Sequence, residues 1–167
     1  MERVINQSFG LFTGSYKYII DASSILSQKN DEQNRRIVLE SLWDKIDSLV
    51  QNRIIVTCSE IADEAKKDDF IQTIKWVKQT NCVIIEVDYN IQENVIEIVS
   101  AFPDLIDFSK SKNSGDAFLL ATAKKYALTV ITEENKEKKN KIPMIAKALQ
   151  INAISLMDMC AVEGLKI

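Results

Sequence analysis

The sequence of 167 residues contains no histidine. Without histidine there is no Ser-His-Asp or Cys-His catalytic site, no histidine general acid and no histidine ligand for zinc. Hydrolytic chemistry in this chain would therefore have to come from carboxylates, lysines, hydroxyls or a metal ion held by oxygen atoms.

Cysteine, glycine and proline are also scarce. The three cysteines, Cys58, Cys82 and Cys160, are odd in number and form no CxxC motif, which argues against a disulfide framework or a zinc knuckle. The four glycines and two prolines mark no flexible linker. One domain of about 100–200 residues fits this length. We expect a single domain over 1–167 with its core at about 17–160.

Long hydrophobic runs are missing as well. No stretch approaches the roughly 20 apolar residues that a transmembrane helix needs, and residues 1–15 lack the apolar core of a signal peptide. The formal net charge of −3 gives no global basic field, so a nucleic-acid partner would need a local basic patch. We expect a cytoplasmic protein with no membrane partner.

Short apolar runs alternate with longer segments of helical spacing. The runs lie at 18–20, 53–57, 82–87, 128–132 and 152–155. The segments with helical apolar spacing lie at 33–50, 59–80, 91–102, 115–127 and 143–150. This alternation, with strands that lack clean polar alternation, predicts an α/β fold with a mostly parallel sheet and helices on both faces.

Acidic side chains stand where the predicted strands end. Asp21 directly follows the first apolar run, and Glu133 and Glu134 follow "TVIT". Asp116 opens the helix that precedes the fourth strand. Because open parallel sheets bind ligands beyond the carboxyl ends of their strands, these acids are candidates for one shared site.

Two further acids, Glu60 and Glu64, follow the second run with i,i+4 spacing and would share one helix face. Converging carboxylates repel one another, and a divalent cation among them relieves that repulsion. A set of oxygen ligands without histidine or cysteine favours Mg²⁺ or Mn²⁺. Such a metal can activate water and hold a phosphodiester, as in many nucleases.

Each acid also has an ordinary structural interpretation. Asp21 could be a helix N-cap, and Asp116 could interact with a helix dipole. Glu64 could lie on a solvated helix face, and Glu134 could be a loop acid beside the lysine-rich run 136–141. The order of the acids on a βαβ skeleton favours the shared site.

Three segments, "YIIDASSIL", "VTCSEIADEA" and "SGDAFLLATAKKYALTVITEEN", resemble the PIN-domain nucleases, and the likeness extends over about residues 18–159. The tail "KIPMIAKALQINAISLMDM" is similar to an uncharacterised bacterial and archaeal branch, domain-of-unknown-function family 4411, which is related to the VapC toxins of toxin–antitoxin pairs. The resemblance implies a three-layer α/β/α sandwich with a parallel five-stranded sheet. It also implies a Mg²⁺- or Mn²⁺-dependent ribonuclease.

The resemblance implies particular residues for the metal and for catalysis. The aspartate of strand one matches Asp21, and the small hydroxyl residue two positions on matches Ser23. The glutamate of the second helix matches Glu64, with Glu60 one turn earlier as its rival. The aspartate of the family's "aDa" pattern matches Asp116.

The fourth acid of the family's "T-x-D" loop falls on Glu134, with Thr132 as the preceding hydroxyl. Here the sequence departs from the pattern, because glutamate is one methylene longer than the aspartate it replaces. Glu133 could serve instead of Glu134.

A local basic rim could bind phosphates, although a solvated loop is the ordinary interpretation of such a lysine run. Its candidates are Lys110, Lys112, Lys124, Lys125 and the cluster 136–141.

The expected function is that of an endoribonuclease that hydrolyses RNA phosphodiester bonds and acts as the toxin of a toxin–antitoxin pair. Its partners would be RNA, a cognate antitoxin protein and, through outward apolar helix faces, a second copy of the chain. The altered fourth acid favours the alternative of a PIN-like binding or assembly module with weak or no catalysis. A haloacid-type phosphatase would want an aspartate at position 23, which is serine, and a phosphoacceptor domain would want an acidic neighbour for Asp21.

Overall fold

The computed structural model describes residues 16–62, 67–105 and 115–167. The strands in these ranges are β1 (Tyr18–Ile20), β2 (Ile55–Cys58), β3 (Ile84–Ile85), β4 (Thr129–Ile131) and β5 (Ala153–Ile154). They form one sheet in the order β3-β2-β1-β4-β5, and every neighbouring pair is parallel. The predicted parallel five-stranded sheet is confirmed, with strands shorter than most of the apolar runs that predicted them.

Helices connect the strands. They are α1 (Ala22–Leu26), α2 (Glu40–Gln51), α3 (Lys67–Gln79), α4 (Tyr89–Ala101), α5 (Gly115–Tyr126), α6 (Ile142–Ala148) and α7 (Leu156–Val162), with short 3₁₀ turns at Ser59–Ala62 and Pro103–Leu105. Each predicted helical segment overlaps one of these helices, and Pro143 lies in the first turn of α6 as expected. The short α7 was not predicted, and it begins after Ser155, whose hydroxyl accepts the Asp158 N–H at 3.1 Å.

The predicted helix over 33–50 was wrong at its start, because α2 begins only at Glu40. Residues 27–39 form turns instead, and Ile37, which the apolar stripe placed in the core, is 72% exposed. The buried Asn34 holds this segment: its carbonyl accepts the Trp43 indole N–H at 2.6 Å, and its N–H donates to the Ser27 carbonyl at 3.1 Å. These hydrogen bonds replace the helical ones.

Apolar side chains fill both faces of the sheet. On one face Ile19 packs with Val130 and with side chains of α4, α5 and α6. On the other face Ile20 and Tyr18 pack with side chains of α2, α3 and α7, including the fully buried Trp43. Alternate residues of β1 thus face opposite layers, as the pleat of a strand requires. The result is the three-layer α/β/α arrangement.

The strand order places a topological switch at β1. From β1 the chain builds outward through β2 to β3, and then returns to add β4 and β5 on the other side of β1. Ligands of such sheets bind beyond the carboxyl ends of the strands at the switch point. The residues that follow β1 and β4 therefore flank the expected site.

Candidate active site at the carboxyl edge of the sheet

Asp21 directly follows β1 and is only 8% exposed. Its N–H donates to the Ile131 carbonyl of β4 at 2.9 Å, which fixes it to the neighbouring strand. Its backbone occupies the N-cap position of α1, but its side chain makes no capping hydrogen bond. The carboxylate is directed instead to side chains at the sheet edge.

Two hydroxyl groups hold the Asp21 carboxylate. The Ser23 hydroxyl donates to Asp21 Oδ2 at 2.6 Å, and the Thr132 hydroxyl donates to the same oxygen at 2.9 Å. The two hydroxyl oxygens lie 3.2 Å apart. The structure thus brings together three of the residues that the sequence singled out, from the ends of β1 and β4.

Burial raises the pKa of Asp21 above its ordinary value, and the hydrogen bonds from Ser23 and Thr132 oppose that rise. In the part of the chain that the structure describes, no lysine or arginine pairs with this carboxylate. A buried carboxylate without a cation is costly when it is ionised. Among the described residues, the groups that compensate a charge on Asp21 are the Ser23 and Thr132 hydroxyls and nearby backbone dipoles.

The end of β2 brings Glu60 toward the same edge. Burial raises the pKa of the Cys58 thiol to about 12, and the negative charges of Asp21 and Glu60 add to this effect. Both carboxylates are therefore close enough to Cys58 to act on it electrostatically. The thiol remains protonated at neutral pH, so Cys58 does not supply a thiolate ligand.

Asp116 lies in the first turn of α5, as predicted, and α5 packs against the 3₁₀ turn that carries Glu60. Glu64 lies outside the described residues. Among residues 16–62, 67–105 and 115–167, no three acidic or cysteine side chains are grouped closely enough to hold a metal ion. Asp21 and its two hydroxyls are the best-defined part of the site.

The two glutamates after β4 contact different helices. Glu134 Oε2 accepts the Ile142 N–H at the start of α6 at 2.8 Å, and its Oε1 lies 4.0 Å from the Lys141 ammonium. Glu133 Oε1 accepts the Leu156 N–H at the start of α7 at 2.8 Å. Both carboxylates thus cap helices. Each of them was a candidate fourth acid from the sequence, which predicted neither helix contact.

Sequence reasoning missed two polar residues beside Glu133. Gln33 donates to Glu133 Oε2 at 2.9 Å, and Asn34 donates to Glu133 Oε1 at 3.4 Å. Burial raises the pKa of Glu133, and the Leu156 N–H and Asn34 oppose that rise. Gln33 and Asn34 lie in the segment 33–50, which was predicted to be helical. The apolar periodicity of that segment does not indicate a contact with Glu133.

Most lysines of the proposed phosphate rim that the structure describes have acidic partners. Lys124 pairs with Glu97 at 3.1 Å and Lys136 with Asp158 at 3.6 Å. Lys125 pairs with Asp88. Lys110 and Lys112 lie outside the described residues. These pairs reduce the positive charge that the rim would offer to RNA.

No helix within the described ranges has the length and apolarity to span a bilayer. None of the curated proteins matches the chain. A family model described as Domain of unknown function (DUF4411) matches residues 18–167.

Solved structures are similar to this chain. FitAB bound to IR36 DNA fragment matches at 13% identity over 83% of this chain and 94% of that chain, with a TM-score of 0.50. VapBC2 from Rickettsia felis, bound to a DNA fragment from their promoter, matches at 14% identity over 83% of this chain and 97% of that chain, with a TM-score of 0.51. FitAcB from Neisseria gonorrhoeae matches at 14% identity over 82% and 96%, with a TM-score of 0.48.

At 13 and 14% identity, the first two matches show a common fold. The PIN-like α/β/α fold that the sequence resemblance implied is therefore confirmed.

Proposed function

The chain belongs to the DUF4411 family, whose model covers residues 18–167, and from this premise we propose that it is a metal-dependent ribonuclease and the toxin of a toxin–antitoxin pair. The observation that carries the proposal is the state of Asp21. It is a buried carboxylate at the switch point of a PIN-like sheet, held by two hydroxyls and paired with no basic side chain in the described ranges.

The donor set fits a hard divalent cation. The acids at this edge offer only oxygen, and the thiol beside them is protonated. We propose Asp21, Asp116, Glu64 and Glu134 as metal ligands and catalytic residues, with Glu60 and Glu133 as rivals. When bound, Mg²⁺ or Mn²⁺ would stabilise charge on a phosphodiester and activate water.

The chain's own residues orient that chemistry. Ser23 and Thr132 both hold Oδ2 of Asp21, so neither hydroxyl occupies Oδ1. Fixing one oxygen sets the direction of the other, and a preoriented ligand does not have to reorganise during the reaction. Asp116, at the start of α5, would approach from the helix layer that packs on the 3₁₀ turn of Glu60.

The test is cleavage of a mixed set of labelled RNAs with Mn²⁺, with Mg²⁺ and with EDTA. The variants are Asp21→Asn and Asp116→Asn, with Glu163→Gln as the matched control. Glu163 is also a largely buried carboxylate, but it accepts the Tyr18 hydroxyl at 2.8 Å at the amino end of β1, far from the site. We expect metal-dependent cleavage that is lost in both site variants and kept in the control. Cleavage that survives both site substitutions would contradict the proposal.

One observation favours a second candidate, a PIN-like binding or assembly module. The Glu134 carboxylate is already engaged at the start of α6. A protein that neither cleaves RNA nor gains thermal stability with Mn²⁺ would support this candidate. A Mn²⁺-dependent rise in melting temperature that Asp21→Asn abolishes would instead indicate a nuclease with a narrow RNA target.

For partners, we propose RNA as substrate and an antitoxin protein. The matched structures FitAB and VapBC2 are two-component complexes. A neighbouring gene product that co-purifies with the chain and suppresses cleavage would support the antitoxin. A homodimer is a further expectation, and the molar mass of the purified protein in solution tests it.

A further inference from the structure

Glu133 connects three separate parts of the molecule. Its carboxylate accepts hydrogen bonds from Gln33 and Asn34 in the segment 27–39 and from the Leu156 N–H of α7. Its own N–H donates to the Ser23 hydroxyl oxygen at 3.0 Å. Ser23 in turn donates to the Asp21 carboxylate.

These contacts decide where the Ser23 proton points. A hydroxyl rotates freely and can donate in several directions. Because the Glu133 N–H occupies an acceptor position of the Ser23 oxygen, the Ser23 proton must point elsewhere, and Asp21 Oδ2 at 2.6 Å is a closer acceptor than the Thr132 oxygen at 3.2 Å. Thr132 is arranged in the same way, since its oxygen accepts the Glu134 N–H at 3.2 Å.

The direction of the Glu133 N–H depends on how the turn after β4 is held. The side chain of Glu133 ties that turn to Asn34, which is 5% exposed and bonded to Ser27 and Trp43, and to the first turn of α7. Both anchors are buried, since Asn34 and Leu156 lie inside the fold. If these two anchors were lost, the Glu133 side chain would no longer hold the turn in place.

We propose that Glu133 is a positioning residue, which holds the turn after β4 so that Ser23 donates to Asp21, and that it is not itself a metal ligand. The proposal rests on the nuclease function proposed above. The two glutamates then have different roles: Glu133 positions the site, and Glu134 is the candidate fourth acid.

Two substitutions separate positioning from ligation. Glu133→Ala removes every contact of this carboxylate. We therefore expect kcat for RNA cleavage to fall about tenfold, the size of effect that follows when a residue that orients a metal ligand is mutated. KM should change less than about twofold. Glu133→Gln keeps an oxygen for the Leu156 N–H, and the exposed Gln33 amide can turn to accept from the new amide. We therefore expect Glu133→Gln to retain cleavage within about twofold of the wild-type rate.

The control is Glu163→Ala, which removes a carboxylate at the other end of the sheet. We expect it to lower the melting temperature as Glu133→Ala does and to leave kcat unchanged. Amide exchange measured by NMR gives a readout without activity. The N–H groups of residues 133 and 134 should exchange about fivefold faster in Glu133→Ala, as when one ordinary hydrogen bond is lost, and at the wild-type rate in Glu163→Ala.

Three results would overturn the inference, and they are distinguishable. If Glu133→Gln loses cleavage as fully as Glu133→Ala, the carboxylate charge matters and Glu133 is a ligand. If Glu133→Ala keeps the wild-type kcat, Glu133 is only a helix cap. If wild-type protein neither cleaves RNA nor gains thermal stability with Mn²⁺, or if Asp21→Asn cleaves equally well, the nuclease proposal fails and the positioning role falls with it.

Discussion

Replacing Asp21 with asparagine should stabilise the metal-free protein while it abolishes cleavage. The wild-type carboxylate is buried and has no basic partner among the described residues. Asparagine has nearly the same shape and keeps an oxygen that can accept from Ser23 and Thr132. It has no charge that must be removed from water, so the folded state no longer carries that cost.

The size of the effect follows from opposing contributions. Removing a carboxylate from water costs several kcal/mol in a real protein. The two hydroxyl hydrogen bonds to Asp21 offset about 1.5–3 kcal/mol each. The pKa of Asp21 is raised because the effect of burial on this carboxyl is larger than the opposing effect of its hydrogen bonds. We expect Asp21→Asn to raise the free energy of unfolding by about 1–2 kcal/mol at neutral pH. For a domain of this size, that gain corresponds to a rise of about 2–8 °C in melting temperature.

The gain should depend on pH with a definite sign. The pKa of Asp21 is higher in the folded than in the unfolded state, so the folded wild-type protein binds more protons between those two values. Wild-type stability therefore falls as the pH rises through the folded-state pKa, and the asparagine variant escapes that fall. Below about pH 4, where the unfolded carboxyl is also protonated, the advantage of the variant should vanish.

The assay is thermal unfolding in EDTA from about pH 4 to pH 8, with Glu163→Gln as control. Added Mn²⁺ should reverse the order near neutral pH, because the metal would stabilise only the wild-type protein. A variant that is less stable than wild type by the same amount at every pH would refute the reasoning. It would mean that the Asp21 charge is compensated in the folded protein.

Three other outcomes follow from the contacts. Thr132→Val removes a donor to Asp21, so cleavage should fall about tenfold, and the acid limb of its pH–rate profile should move to higher pH because the pKa of Asp21 rises further. Tyr18→Phe removes the hydrogen bond to Glu163 and should cost about 1–2 kcal/mol in chemical denaturation without changing cleavage. Burial raises the pKa values of Cys58 and Cys82 to about 12, so native protein at about pH 8 should resist alkylation by iodoacetamide that the unfolded chain accepts. Rapid labelling of the native thiols would contradict this burial.

The parallel sheet could be predicted because apolar runs are a local pattern that indicates buried strands. The contact between Asp21 and Thr132 depends on the strand order, which places β1 beside β4 and which apolar runs do not encode. The start of α2 could not be predicted from periodicity. The stripe that includes Ile37 looks helical, but the hydrogen bonds of Asn34 to Ser27 and Trp43 hold another backbone path.

The helix-capping contacts of the two glutamates could not be predicted because each reaches a partner distant along the chain. Glu133 bonds the N–H of Leu156, and Glu134 bonds that of Ile142, at helix starts that only the folded chain brings near. Glu134 departs from the family's aspartate because its side chain is one methylene longer. The same methylene extends the reach of the carboxylate toward α6. The turn after β4 thus contributes its N–H groups to Ser23 and Thr132, and its two carboxylates also contact the starts of α6 and α7.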